Sequence, residues 1–292
     1  MRRFEDYHPL VQLLYFIAVS APATFFLHPV LALISLFGAI ALFLVRNGAK
    51  GGRSYLYSLL FFLALTVVNL LFRHNGATVL FVINHNPVTL EALIYGAVSG
   101  VMLLSVLYWF RSLSQIMTAD RLLYLFGKLS PRLALIVSMA LRYIPLFTRQ
   151  AKRVHTVQRT LYLSREDSLI DKTRAAGKTM SVMTTWALEN GMITADSMTA
   201  RGYGVGRRTA YHLFRMHRGD VALLIGTLLL EAGVMVLAAQ GCLDMSWYPY
   251  VSAPQTDAMA LICYAIYTIL AGLPVAIEIG ERIRWKYLHS KI

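Results

Sequence analysis

The chain predicts an all-α membrane protein: about six transmembrane helices, with long amphipathic helices on the cytoplasmic side. Three observations predict it. Of 292 residues, 57% are hydrophobic and only 15% are charged, where a soluble domain carries about 25% charged residues. Long apolar runs recur along the sequence. The basic residues fall almost entirely on one side of those runs.

The runs are Leu10–Leu27, Val30–Val45, Tyr55–Phe72, Leu90–Phe110, Val221–Ala239 and Ala258–Ile279. A spanning helix needs about 20 mostly apolar residues, within a range of about 17–25. The second run is short, and His28-Pro29 sets a tight turn before it. The first two runs therefore read as a hairpin of spans. No cleavable leader is expected, because the first run continues straight into the second.

Charge orients the spans. With Arg2 and Arg3 inside, Arg46, Lys50 and Arg53 fall inside as well. So do Arg282, Arg284, Lys286 and Lys291 of the tail. The segment Arg111–Asp220 is also inside, with 18 Lys and Arg against 7 Asp and Glu. Only Arg73, of 28 basic residues, lies in an outer loop. A multi-pass cell-membrane protein with both termini cytoplasmic is expected. The net charge of +13 then marks inner loops, and no nucleic-acid partner is expected. Three regions follow: residues 1–110 with about four spans, 111–220 as a cytoplasmic helical region, and 221–292 with about two spans and a basic tail.

The middle region is too long for a loop and has few helix breakers. Leu133–Phe147 is apolar but only 15 residues long, short for a span. It contains Arg142 and Pro145 and then turns basic. It reads as a helix that rests partly in the membrane and emerges into the cytoplasm. Arg142 needs a route to water or lipid phosphate, or caps carbonyls freed by Pro145, so both residues are expected to be structural. Ser164 with Asp167 suggests a helix start. The next helix carries Met180, Met183, Ala187, Gly191, Thr194 and Met198 at steps of three and four. That small, methionine-rich face suits close packing against another helix. A soluble helical domain is the rival reading of this region.

Catalytic motifs are missing. Gly202, Gly204 and Gly206 mimic a phosphate loop, but no strand precedes them and no G-x-x-x-x-G-K-[ST] occurs. They read as a helix stop and hinge. His74, His85 and His155 lack ligand spacing. Cys242 and Cys263 carry no metal or disulfide signal. Glu91, Glu231 and Glu278 are placed near span ends, where interface solvation is the default. No cofactor, no metal and no enzymatic activity of the chain's own are expected.

Several stretches carry a resemblance: "HPLVQLLYFIAV" near the start, "MALRYIP" at Met139–Pro145, "TWALENGMITADSMTARGYG" at Thr185–Gly204, and the tail "LPVAIEIGERIRWKYL". In this order, over nearly the whole chain, they resemble the transmembrane T component of energy-coupling factor (ECF) transporters, the EcfT/CbiQ-like family. The resemblance implies a scaffold without chemistry of its own. It would join two ABC ATPase subunits, which bind the ATP, to a small membrane S subunit that binds a vitamin or metal ion. Two coupling helices would each end in an arginine-centred motif docking in an ATPase groove.

By match, Ala200-Arg201-Gly202 is the second motif. An arginine offers five donors in a rigid fork, and its small neighbours allow close approach. The rival is that Arg201 caps its own helix. The first motif departs from the family pattern. At Gln158-Arg159-Thr160-Leu161 the expected arginine position falls on Leu161. Arg159 lies two residues earlier, about 200° round the helix, and is preferred to Arg165. The function expected is therefore an ECF-type importer scaffold that couples ATP hydrolysis to reorientation of the S subunit. A self-contained secondary transporter is the alternative, and a membrane enzyme is a third reading.

Overall fold

The computed structural model describes residues 3–48, 52–73, 76–83, 86–161, 169–206 and 214–289. Among the described residues the protein is all-α apart from one two-stranded antiparallel pair. It divides into two compact units, Met1–Arg121 with Phe214–Ile292, and Leu122–Leu213.

The first unit holds α1 (Pro9–Phe25), α2 (Pro29–Asn47), α3 (Gly52–Phe72), α4 (Leu90–Ile116), α8 (Arg218–Ala239) and α9 (Ala258–His289). Proline sits in the first turn of both α1 and α2, where its missing N–H is unsatisfied in any helix. His28 precedes Pro29, so the chain turns between the two helices as the sequence expects. The boundary between the units falls inside α5 (Ala119–Leu129), and the second unit continues with α6 (Pro131–Thr160) and α7 (Leu169–Ala200).

Among the described residues six helices are long and apolar enough to cross a membrane: α2, Tyr55–Phe72 of α3, α4, α6, α8 and α9. Membership differs from the sequence reading in two places. α1 has 17 helical residues, at the short limit for a span. α6 qualifies at 30 residues, where the sequence reading measured only its 15-residue apolar core. Pro145 does not break α6, and Pro22 and Pro274 sit inside α1 and α9. Spanning helices tolerate such prolines when neighbours or local adjustments satisfy the freed carbonyl.

α4 packs against α1, α2 and α3, while α9 packs against α2 and α8. Lipid is as apolar as leucine, so these contacts hold by close packing and buried hydrogen bonds. Tyr15 donates to the Leu270 carbonyl at 2.8 Å and Tyr267 donates to the Val19 carbonyl at 2.8 Å. This reciprocal pair ties α1 to α9. Trp109 of α4 donates to Ser35 Oγ of α2 at 3.0 Å and meets Tyr15 and Phe16 edge-on. Cys242 and Cys263 are buried free thiols.

The loop before α4 contains the element the sequence reading missed. β1 (Val79–Ile83) and β2 (Asn86–Thr89) form an antiparallel hairpin. The run "TVLFVI" at Thr78–Ile83, rich in β-branched and aromatic residues, carries its signal. The hairpin is anchored by Glu91, buried in the first turn of α4. Its carboxylate accepts from Thr78 N–H at 3.2 and 3.3 Å and from the Thr78 hydroxyl. Gly76 has φ +149°, and a Cβ there would lie 2.5 Å from Glu91 Oε2. Glu91→Ala should therefore cost about 1–3 kcal/mol and raise hydrogen exchange across 76–89. Unchanged exchange would remove Glu91 as the anchor.

Glu231 corrects a sequence expectation. It stands eight residues before the end of α8 at Ala239, about 12 Å inside it at 1.5 Å per residue. Its Oε2 is buried with no hydrogen-bond partner among the described residues. Interface solvation does not reach it, so apolar replacement should help. Glu231→Leu is expected to raise stability in detergent by about 1–3 kcal/mol, read by thermal unfolding.

Candidate functional site

The second unit is built around an α6–α7 hairpin. Its register is fixed by three contacts. Tyr143 Oη and Thr194 Oγ1 share a hydrogen bond at 2.7 Å. Phe147 meets Trp186 edge-on, with centroids 5.5 Å apart. Thr179 donates to Gln158 Oε1 at 3.1 Å. Partners descend α7 as the chain ascends α6, so the helices are antiparallel. The segment between them, which includes Arg165 and the expected helix start at Ser164, lies outside the described residues.

This register separates the two expected docking ends. Gln158 lies level with Thr179, and Ala200 closes α7 some 21 residues later. At 1.5 Å per residue that is about 32 Å along the axis. Arg159 and Arg201 therefore stand near opposite ends of the hairpin.

The α7 end is shaped by backbone chemistry. Gly202 N–H donates to the Thr199 carbonyl at 3.0 Å and Tyr203 N–H to the Met198 carbonyl at 3.0 Å. This is the paired pattern of a Schellman stop, with Gly202 in the left-handed conformation at φ +81°. The pattern takes up two of the last carbonyls. The Arg201 guanidinium makes no hydrogen bond or ion pair among the described residues, and the side chain is exposed. Its rival role, capping its own helix, is filled here by backbone donors. Ala200 beside it is exposed as well.

The α6 end differs. Gln158 is buried and turned toward α7. Arg159 and Thr160 are exposed in the last turn, and the Thr160 hydroxyl donates back to the Thr156 carbonyl at 2.9 Å. Leu161, the position where the expected arginine would stand, is exposed and apolar.

Between these ends lies a groove of about 1040 Å³. Phe147, Ala151 and His155 of α6 line it, with Met180, Met183 and Ala187 of α7. Met183, Ala187 and Met198 are half-buried, while Met180 and Gly191 are exposed. Arg142 and Pro145 lie on exposed positions of α6. The pairings Gln158–Thr179 and Tyr143–Thr194 were not foreseen from sequence, although Gln158 and Thr194 were named singly. Their signal is a polar residue on an otherwise apolar helical face, and it becomes readable only once the register is known. Among the described residues, no three His, Cys, Asp or Glu side chains gather closely enough to hold a metal ion.

The family model CbiQ, described as cobalt transport protein, matches residues 4–211. The chain belongs to the CbiQ family. It is thus a component of an ECF-type membrane transport system. The match covers α1 through α7 and includes the whole hairpin and the Arg201 stop. A search of curated proteins finds no match to this CbiQ-family chain.

Proposed function

We propose that this CbiQ-family chain is the transmembrane scaffold of an ECF importer, joining a pair of ABC ATPases to a small substrate-binding S subunit. One observation carries the reading. Arg201 is presented at a helix end whose neighbouring carbonyls are already bonded, so its guanidinium is available to a partner. A fork of that kind pairs two-pronged with a carboxylate.

Two arginines about 32 Å apart suit two separate ATPases, with Arg201 in one groove and Arg159 in the other. ATP binding draws the ATPases together and moves the hairpin ends with them. The groove holding Met180, Met183 and Ala187 then shifts against the S subunit, because methionines repack at low cost and packed helices shear. The S subunit selects the vitamin or metal ion. Both termini face the cytoplasm, by the charge bias of the loops.

Glu231 favours a second reading, a self-contained secondary transporter, since such proteins place carboxylates inside the membrane. Glu231→Leu separates the two. A scaffold keeps full uptake with this variant, whereas a carboxylate-driven transporter loses it.

A further inference from the structure

A cavity of about 660 Å³ opens where the N-terminal turn at Arg3–Asp6, ahead of α1, meets the last turns of α2 and α9. None of its lining residues belongs to α6 or α7, and the scaffold reading makes no use of it. Glu278 lines it. That carboxylate is only 7% exposed, and its Oε2 has no hydrogen-bond partner among the described residues. A buried acceptor left unmade is costly, so the cavity calls for a donor.

The other charged groups narrow the donor's chemistry. Asp6 and Glu281 bring further carboxylates, and Arg3 and Arg282 bring guanidiniums. Asp6 is partly committed, accepting from the Arg3 backbone N–H at 2.8 Å. Arg282 donates to the Val45 carbonyl and keeps further donors in its fork. Three carboxylates against two guanidiniums repel a bare anion. Arg3 also lies 3.7 Å from Glu5, but each guanidinium has more donors than these partners take up, and a bare cation would leave those unanswered. A ligand with one ammonium and one phosphate satisfies both.

Position selects the source. Glu278 is 20 residues from the start of α9 at Ala258, about 30 Å along the helix. That is the thickness of the hydrocarbon core, so the cavity sits at headgroup depth. Ile279 and Ile283 line it one turn apart, with exposed Trp285 beyond. The isoleucines share a helix face and form an apolar track. Tryptophan at a span end marks the membrane interface.

We propose that this cavity seats the headgroup of an aminophospholipid, with its ammonium on Glu278, its phosphate between Arg3 and Arg282, and an acyl chain along Ile279 and Ile283. The full-length chain in mild detergent, stripped of lipid, is titrated with phosphatidylethanolamine, phosphatidylglycerol or soluble phosphoethanolamine and read by native mass spectrometry. Phosphatidylethanolamine is expected to be retained at least tenfold better than the other two. Glu278→Gln should abolish that preference. Arg282→Gln, at an exposed position of α9, should weaken retention severalfold, with the fold checked by thermal unfolding. Equal retention of phosphatidylglycerol would overturn the proposal. So would a preference unchanged in both variants, or displacement of the lipid by equimolar phosphoethanolamine.

Discussion

Replacing Arg201 with Glu is expected to detach the chain from the ATPases proposed as its partners. Truncating a hot-spot side chain costs at least about 2 kcal/mol, close to thirtyfold in affinity at 1.4 kcal/mol per decade. Charge reversal adds repulsion from the carboxylate that the arginine would meet. The variant should fold normally, because Arg201 is exposed and the helix stop is made by Gly202 and Tyr203 backbone donors. Arg201→Lys should recover only part of the binding, since an ammonium lacks the planar fork. Arg159→Glu tests the other end. The measurement is ATPase recovery on the tagged chain, together with uptake. Full recovery and full uptake in Arg201→Glu would remove the docking role.

The largest stability effect is expected at Trp109. It is 1% exposed and ties α4 to α1 and α2 through Tyr15, Phe16 and Ser35. Gly38 faces its ring, with a Cβ position 3.4 Å from Trp109 Cζ2. Trp→Ala in a packed core costs about 3–5 kcal/mol. Trp109→Ala should therefore unfold at markedly lower temperature in detergent, with much of the bundle lost together. Trp109→Phe keeps the aromatic packing and drops the Ser35 bond, worth about 0.6 kcal/mol between membrane helices. A small effect in Trp109→Ala would show that α4 is not the hub of the bundle.

The spans were legible in the sequence because a membrane imposes its pattern directly. Val30–Val45 fell within two residues of both ends of α2, and the run from Ala258 began where α9 begins, since an unbroken apolar run of that length is favoured inside a bilayer and costly in water; α9 then continues ten residues past Ile279, through the basic stretch. α6 was read as resting only partly in the membrane, whereas over its 30 residues it is long and apolar enough to cross. Its basic half looked like an exit from the membrane, because the apolar core alone is only 15 residues long. The β1–β2 hairpin was missed because a short β-branched run in a mostly greasy chain does not stand out. Glu231 was placed at an interface because its distance from solvent depends on where α8 ends.

The candidate site was half legible. Arg201 stood out because it follows a clear helix and precedes Gly202, and the Schellman bonds supply the reason for that glycine. Gln158 was read as part of a docking motif. Its bond to Thr179, 21 residues away, depends on the register between α6 and α7, which no local pattern reveals. The cavity at Glu278 was invisible for the same reason, because it is assembled from three distant stretches of chain.

The central claim is that this chain transports only as part of an ATPase-driven assembly. The most direct measurement is affinity purification of the tagged full-length chain, co-expressed with the ABC ATPase pair of its host membrane, followed by assay of ATP turnover in the eluate. The account predicts that both ATPases elute with the chain and turn over ATP, and that the chain purified alone hydrolyses none. A chain that elutes without ATPases, yet accumulates cobalt(II) by itself in proteoliposomes, would contradict it.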